Sequence, residues 1–136
     1  ESLAATHRVI ALDLPGHGAS SPIDKGSGLA AFVDWFVTVL DDLGLDSVNV
    51  AGHSMGALIA GGCAITAPDR VRRVALLSAV HRRDDAASAA VRARAAEIAA
   101  GNVDPIAPLS RWFGDESSGS EPYRLVKDWL AAVDVE

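Results

Sequence analysis

Short apolar runs alternate with amphipathic stretches along this chain. Residues Arg8 to Leu14 (Arg-Val-Ile-Ala-Leu-Asp-Leu) are nearly continuously apolar, carry β-branched side chains and stop at Pro15-Gly16-His17-Gly18. A run apolar on both faces and ended by a Pro-Gly turn predicts a buried parallel strand. From Leu29 to Leu43 the period changes: Leu29, Phe32, Val33, Phe36, Val37, Leu40 and Leu43 recur at three- and four-residue steps ahead of Gly44. That spacing predicts an amphipathic helix and its stop. Ser47 to Ala51 is strand-like again, and Gly52-His53-Ser54-Met55-Gly56 leads into an apolar helical stretch that Pro68 ends. Val71 to Ser78 predicts a third buried strand. Short apolar strands alternating with helices predict an α/β fold on a parallel sheet with right-handed crossovers.

After Val80 the pattern changes. Ala86 to Ala100 is rich in Ala and Arg, the region of Gly101, Pro105 and Pro108 breaks it, and a polar loop from Gly114 to Glu121 precedes a last helix around Tyr123 to Val133. Residues 81–136 are therefore expected to form a helical appendage to an α/β unit at 1–80, the Gly/Ser segment being a short loop and not a domain linker.

Composition narrows the classes. Of 136 residues 49% are apolar and 22% charged, which excludes a disordered chain, and no uncharged apolar run is long enough to span a membrane. The net charge of −6, with Lys25 and Lys127 the only lysines, argues against nucleic acid as a partner. One cysteine, Cys63, allows no internal disulfide, which fits a reducing, cytoplasmic setting. The chain opens without Met or a leader-like stretch, and Ala131 to Glu136 still reads as helix without a stop. It is therefore expected to be a central piece of a longer polypeptide.

The candidate chemistry sits at Gly52-His53-Ser54-Met55-Gly56, a G-x-S-x-G pattern between an apolar strand and an apolar helix. In such an elbow the serine occupies a strained strand-to-helix turn, and flanking glycines relieve the crowding of the two backbones. The hydroxyl is then presented above a helix amino terminus, whose free N–H groups favour a developing anion.

On these residues the chain resembles the α/β-hydrolase superfamily. Asp13-Leu14-Pro15-Gly16-His17-Gly18-Ala19-Ser20 is similar to the D-x-P-G-x-G-x-S segment after the family's fourth strand, and the elbow after the fifth strand and Val71 to Ser78 as the sixth follow in family order. The resemblance implies a doubly wound, mostly parallel sheet, with 1–80 supplying strands four to six and 81–136 an incomplete helical cap. It implies Ser54 as nucleophile and the Met55 N–H as an oxyanion donor. Serine at this position argues against the dehalogenase and epoxide-hydrolase branches, which use Asp, and the dienelactone branch, which uses Cys. The resemblance puts the triad acid and histidine outside this sequence, and a third strand between the fourth and fifth. Without that strand, 8–14 has no route to pair with 47–51. Within the cap, Arg111-Trp112-Phe113 is similar to a stretch of relatives acting on enol-lactones.

Other polar residues read differently. His53, beside Ser54, is expected to project away from the hydroxyl and to line a substrate pocket, with Trp112 and Phe113 as further substrate contacts. His17 is expected to make a structural hydrogen bond, His7 to be solvated near a helix end, and His81 to lie on the catalytic side. Asp84 and Asp85 follow the third strand; Asp85 reads as a helix N-cap, Asp13 as a brace of the Pro-Gly turn, Cys63 as a small buried residue and Trp129 as cap core. Arg82, Arg83, Arg92, Arg94 and Arg111 could meet a substrate carboxylate, although Arg on an Ala-rich helix is usually solvated. The expected function is a cofactor- and metal-free serine hydrolase of a small, largely apolar ester or lactone. A carbon–carbon hydrolase or cofactor-free haloperoxidase-like activity on the same fold, and a non-catalytic ligand-binding role, are the alternatives.

Overall fold

The computed structural model describes residues 3–80, 82–102, 104, 106–114 and 118–132, and the chain divides into two compact units, Glu1–Arg82 and Arg83–Glu136.

In the first unit, helix α1 runs Leu29–Asp42 and ends through Leu43 at Gly44, whose φ of +63° reverses the chain. Strand β1 (Val48–His53), helix α2 (Met55–Thr66), a single 3-10 turn (Pro68–Arg70) and strand β2 (Val71–Leu77) follow. β1 and β2 pair in parallel from Val48↔Val71 to His53↔Leu77, with one irregularity after Val48. α2 packs on both strands and α1 packs on α2. The core is Val33, Ile59 and Cys63, with Leu14, Phe32, Phe36 and Val71 packed against it. Each such side chain contributes about 1.5–3 kcal/mol when fully withdrawn from water. The helices approach closely at Gly62, where a Cβ would lie 2.7 Å from Val33 Cγ2.

Arg70 fastens the α1–β1 connection. Its Nε donates to the Asp46 carbonyl at 2.7 Å and Nη2 to the Leu45 carbonyl at 2.9 Å, while Nη2 also lies 2.7 Å from Asp41 Oδ1. One planar guanidinium thus satisfies two loop carbonyls that no helix or strand uses.

Two expectations fail in this unit. Residues 8–14 form no strand, and Val9, Ile10 and Leu12 are exposed. A groove of about 1080 Å³, lined by Val9, Ile10 and Leu12 on one side and Val48, Val50 and Gly52 on the other, separates this segment from β1. A strand is defined by ladder bonds to a neighbour, and the segment has none within reach among the described residues. The groove lies where the family resemblance implies an intervening strand. β2 is also not buried: Val74, Leu76 and Leu77 are exposed, because its side chains stand off both faces of the sheet and the packing of α2 does not cover them.

The second unit carries α3 (Asp85–Ala99), α4 (Pro108–Phe113) and α5 (Glu121–Ala131). Asp84, and not Asp85, caps α3, its carboxylate accepting the Ala87 N–H at 2.7 Å. Adjacent aspartates both fit the capping pattern, but only Asp84 has the extended backbone (φ −67°, ψ 172°) that aims its side chain at the third helical N–H. Ser120 caps α5 by accepting the Tyr123 N–H at 3.3 Å. Phe113 and Tyr123 join α4 to α5 in an edge-to-face pair, centroids 5.6 Å apart. Trp129 is 62% exposed and does not belong to a core. The inward face of α5 is Tyr123, Val126 and Leu130, and Trp129 falls outside that three- and four-residue stripe. Val133 and His81 lie outside the described residues.

Candidate active site

The site begins with a crossing of two backbones. β1 runs into α2 with one residue between them, so the strand end and the first helical turn meet at Gly52. A Cβ on Gly52 would collide with the Gly56 carbonyl group and lie 2.6 Å from the Ala57 nitrogen. Gly56 itself would place a Cβ in open space, so the crowding that was expected to need both flanking glycines falls on Gly52 alone.

Ser54 makes the turn. Its backbone is left-handed, φ 53° and ψ −114°, a conformation that L side chains rarely adopt and that persists only where neighbours over-determine it. Those neighbours are visible: the Ser54 N–H donates to the Leu77 carbonyl at 3.0 Å, and its carbonyl accepts the Ala57 N–H at 3.1 Å. The Ser54 hydroxyl does not cap α2, and the residue is exposed at the carboxyl end of the sheet. Met55 opens α2, so its N–H belongs to the first turn, where helical N–H groups have no partner of their own. A helix amino terminus, an uncommitted hydroxyl and a free N–H together can present a nucleophile and stabilise an oxyanion.

The other candidates separate. His53 ends β1 and lines the groove described above, together with Gly52 and Gly56. Trp112 and Phe113 belong to α4 in the second unit, Trp112 exposed and Phe113 stacked edge-on with Tyr123. Asp84 is committed to capping α3. In the turn after residues 8–14, His17 Nδ1 lies 3.2 Å from the Pro15 carbonyl, the structural contact its position suggested. Asp13 braces the same turn through its backbone carbonyl, which accepts the Ser20 hydroxyl at 2.8 Å, and its side chain packs on Gly18, where a Cβ would collide with the carboxylate. Cys63 is buried on α2; burial pushes its thiol up from the ordinary value, partly opposed by its own backbone hydrogen bond, so it stays protonated and unreactive at neutral pH. The sequence reading missed Ser78, which has φ 51° at the end of β2. Its signal was a serine closing an apolar run at the same sheet edge as the elbow.

A parallel pair of strands joined through a left-handed serine that opens a helix is the core of an α/β-hydrolase sheet. The family described as alpha/beta hydrolase fold matches residues 1–106, and the chain belongs to it. Over 135 residues, 99% of this chain and 51% of the relative, it is 42% identical to an (E)-2-((N-methylformamido)methylene)succinate hydrolase of Acinetobacter baylyi. It is 41% identical over 76 residues to a 2-hydroxymuconate semialdehyde hydrolase of Pseudomonas putida, covering 55% of this chain and 27% of that one. Among solved structures it is similar to the enol-lactonase of Burkholderia xenovorans LB400, with TM-score 0.68 and 27% identity, covering 90% of this chain and 48% of that one. The chain thus spans about half the length of the Acinetobacter relative. Among the described residues no helix is long and apolar enough to cross a membrane.

Proposed function

We propose that Ser54 is the nucleophile of a serine hydrolase that cleaves a small ester or lactone. Its Oγ adds to the carbonyl carbon while its proton passes to a general base, and the Met55 N–H holds the resulting oxyanion. Collapse of the tetrahedral intermediate breaks the bond to the leaving alkoxide, which takes up the proton. Water then repeats the addition on the acyl-enzyme and releases the acid and Ser54. No residue of this chain is assigned as the base or as the carboxylate that orients it. The observation that carries this reading is the left-handed Ser54 at the β1–α2 junction, its hydroxyl free of any capping role.

A fluorophosphonate probe applied to the full-length protein is expected to label Ser54, and Ser54→Ala to lose the label together with at least about 10³-fold in turnover. A folded protein that resists the probe, or a Ser54→Ala variant that keeps its turnover, would overturn the assignment. Trp112 and Phe113 are proposed substrate contacts on the Arg111-Trp112-Phe113 likeness, so Trp112→Ala is expected to raise KM more than it lowers kcat.

A second reading concerns the substrate. The 42% identity to a hydrolase named for a succinate bearing an N-methylformamido group extends over nearly the whole chain, which favours a carboxylated, amide-bearing molecule acted on by the same Ser54. Comparing kcat/KM for an aryl ester, an enol-lactone and such a succinate separates the two. The highest value on the succinate would replace the ester or lactone as substrate class.

A further inference from the structure

Two non-glycine residues among those described have a left-handed backbone, Ser54 (φ 53°) and Ser78 (φ 51°). They are neighbours in space by register. β1 and β2 pair up to His53↔Leu77, so each serine is the first residue beyond the last pair. A hydrogen bond links them: the Ser54 N–H donates to the Leu77 carbonyl at 3.0 Å, and that carbonyl shares a peptide plane with the Ser78 nitrogen.

This geometry gives the strain at Ser78 a use. Residues Ala79 and Val80 leave the sheet after β2. With an ordinary negative φ at Ser78, the chain could leave in that direction only if the Leu77–Ser78 peptide plane rotated, which would draw the carbonyl off the Ser54 N–H. A left-handed Ser78 turns the chain beyond that plane and leaves the carbonyl where it is. Ser54 is then held from both sides, by Leu77 at its N–H and by Ala57 at its carbonyl. Strain at a β-carbon-bearing residue persists when surrounding structure fixes it, and here the bond it preserves is the one that fixes the elbow.

We infer that Ser78 is a positioning residue for Ser54: its left-handed backbone keeps the Leu77 carbonyl on the Ser54 N–H and so holds the hydroxyl in its attacking position. This rests on the reading of Ser54 as nucleophile and adds that the reactivity of Ser54 depends on the backbone conformation of Ser78, not on its hydroxyl.

The test is a series at Ser78 in the full-length protein, reading the rate of fluorophosphonate labelling, kcat, KM and the thermal transition, with Ser54→Ala alongside. Ser78→Gly and Ser78→Asn, which tolerate positive φ, are expected to label within about 2-fold of the parent. Ser78→Val, whose β-branch adds crowding that serine at the same φ does not have, is expected to lose about 3–10-fold in labelling rate and kcat, the size of a forced off-rotamer side chain expressed as a rate, with KM unchanged. Should Ser78→Val fail to fold, Ser78→Thr takes its place, β-branched with the hydroxyl kept, and is expected to label more slowly than Ser78→Ala, which keeps the serine Cβ and is expected within about 2-fold of the parent. A folded Ser78→Val that labels at the parent rate overturns the inference. So does a Ser78→Gly or Ser78→Ala that falls as far as Val, because the hydroxyl would then be the active feature. If Ser54→Ala retains the label, the nucleophile assignment falls and this inference with it. If Ser54→Ala loses the label and the Ser78 series is flat, only the role of Ser78 falls.

Discussion

Two segments of the first unit, Arg8–Leu14 and Val48–His53, have nearly the same apolar, β-branched character and end in glycine-containing turns, yet only the second is a strand. β1 has β2 along one edge and α2 across its end, so its backbone is paired and its last residue enters a constrained turn. Residues 8–14 face a groove of about 1080 Å³ instead, and Val9, Ile10 and Leu12 stay in water. The contrast shows that an apolar run supplies side chains for a sheet but not the sheet itself. Pairing is a property of two segments, and a run alone leaves half of it unspecified.

Substitutions at matched small residues test how much that difference is worth. Gly52→Ala puts a Cβ into the Gly56 backbone, and backbone atoms of a strand and a helix cannot rotate away. Unfolding by denaturant is expected to show a loss of about 3 kcal/mol or more, at the upper end of overpacking effects. Ala11→Ser, in the unpaired segment, is expected to stay within about 0.5 kcal/mol. Equal losses at the two sites would mean that residues 8–14 are as constrained as β1. One step from the strand, Gly62→Ala meets the Val33 side chain at 2.7 Å. A methyl group can shift where a carbonyl cannot, so a loss of about 1–2 kcal/mol is expected, partly recovered in a Gly62→Ala, Val33→Ala double variant. A double variant less stable than the additive sum would show that the two helices do not adjust at this contact.

The same contrast explains which features were legible in the sequence. α1, β1, α2 and β2 are legible to within a few residues because each is an apolar stretch with its own spacing, and the two helices carry their own stops, at Gly44 and Pro68. The elbow was legible because Gly52 and Ser54 are demanded by one local turn. What depended on a partner was not legible. The strand at 8–14 and the burial of β2 both required neighbours that a periodicity cannot supply, and only the family order of strands left 8–14 without a route to pair with 47–51. Asp84 and Asp85 were indistinguishable as caps until the backbone chose one, and Trp129 fitted a helical stripe whose inward face lay elsewhere. Arg70 left no mark at all, since its carbonyl partners Asp46 and Leu45 are 24 and 25 residues away.

That donor gives the next prediction. Arg70→Ala removes two hydrogen bonds to part-buried or exposed loop carbonyls, and a loss of about 1–2 kcal/mol is expected in denaturant unfolding. Asp41→Asn is expected to change stability by less than about 0.5 kcal/mol, since Asp41 is largely exposed and its ion pair is screened. If Asp41→Asn matched Arg70→Ala, the charge and not the carbonyls would be fixing the start of β1.

The smallest effect concerns Cys63, on the packed side of the contrast. Its buried thiol has a folded pKa above the unfolded one, because desolvation penalises the thiolate and outweighs the backbone hydrogen bond that favours it. The folded state therefore holds the proton more tightly. The associated stability is fully present below the unfolded thiol's pKa, and declines as pH rises through the window up to the folded value, where the unfolded chain ionises first. A urea midpoint measured across that alkaline window should fall more steeply for the parent than for Cys63→Ala, even though the variant is less stable throughout for want of packing. Exposed groups titrate alike in both proteins, so the difference in slope isolates the thiol. Parallel slopes would mean that water reaches Cys63, and that the α1–α2 contact which distinguishes the β1 region from residues 8–14 opens as readily as that unpaired segment.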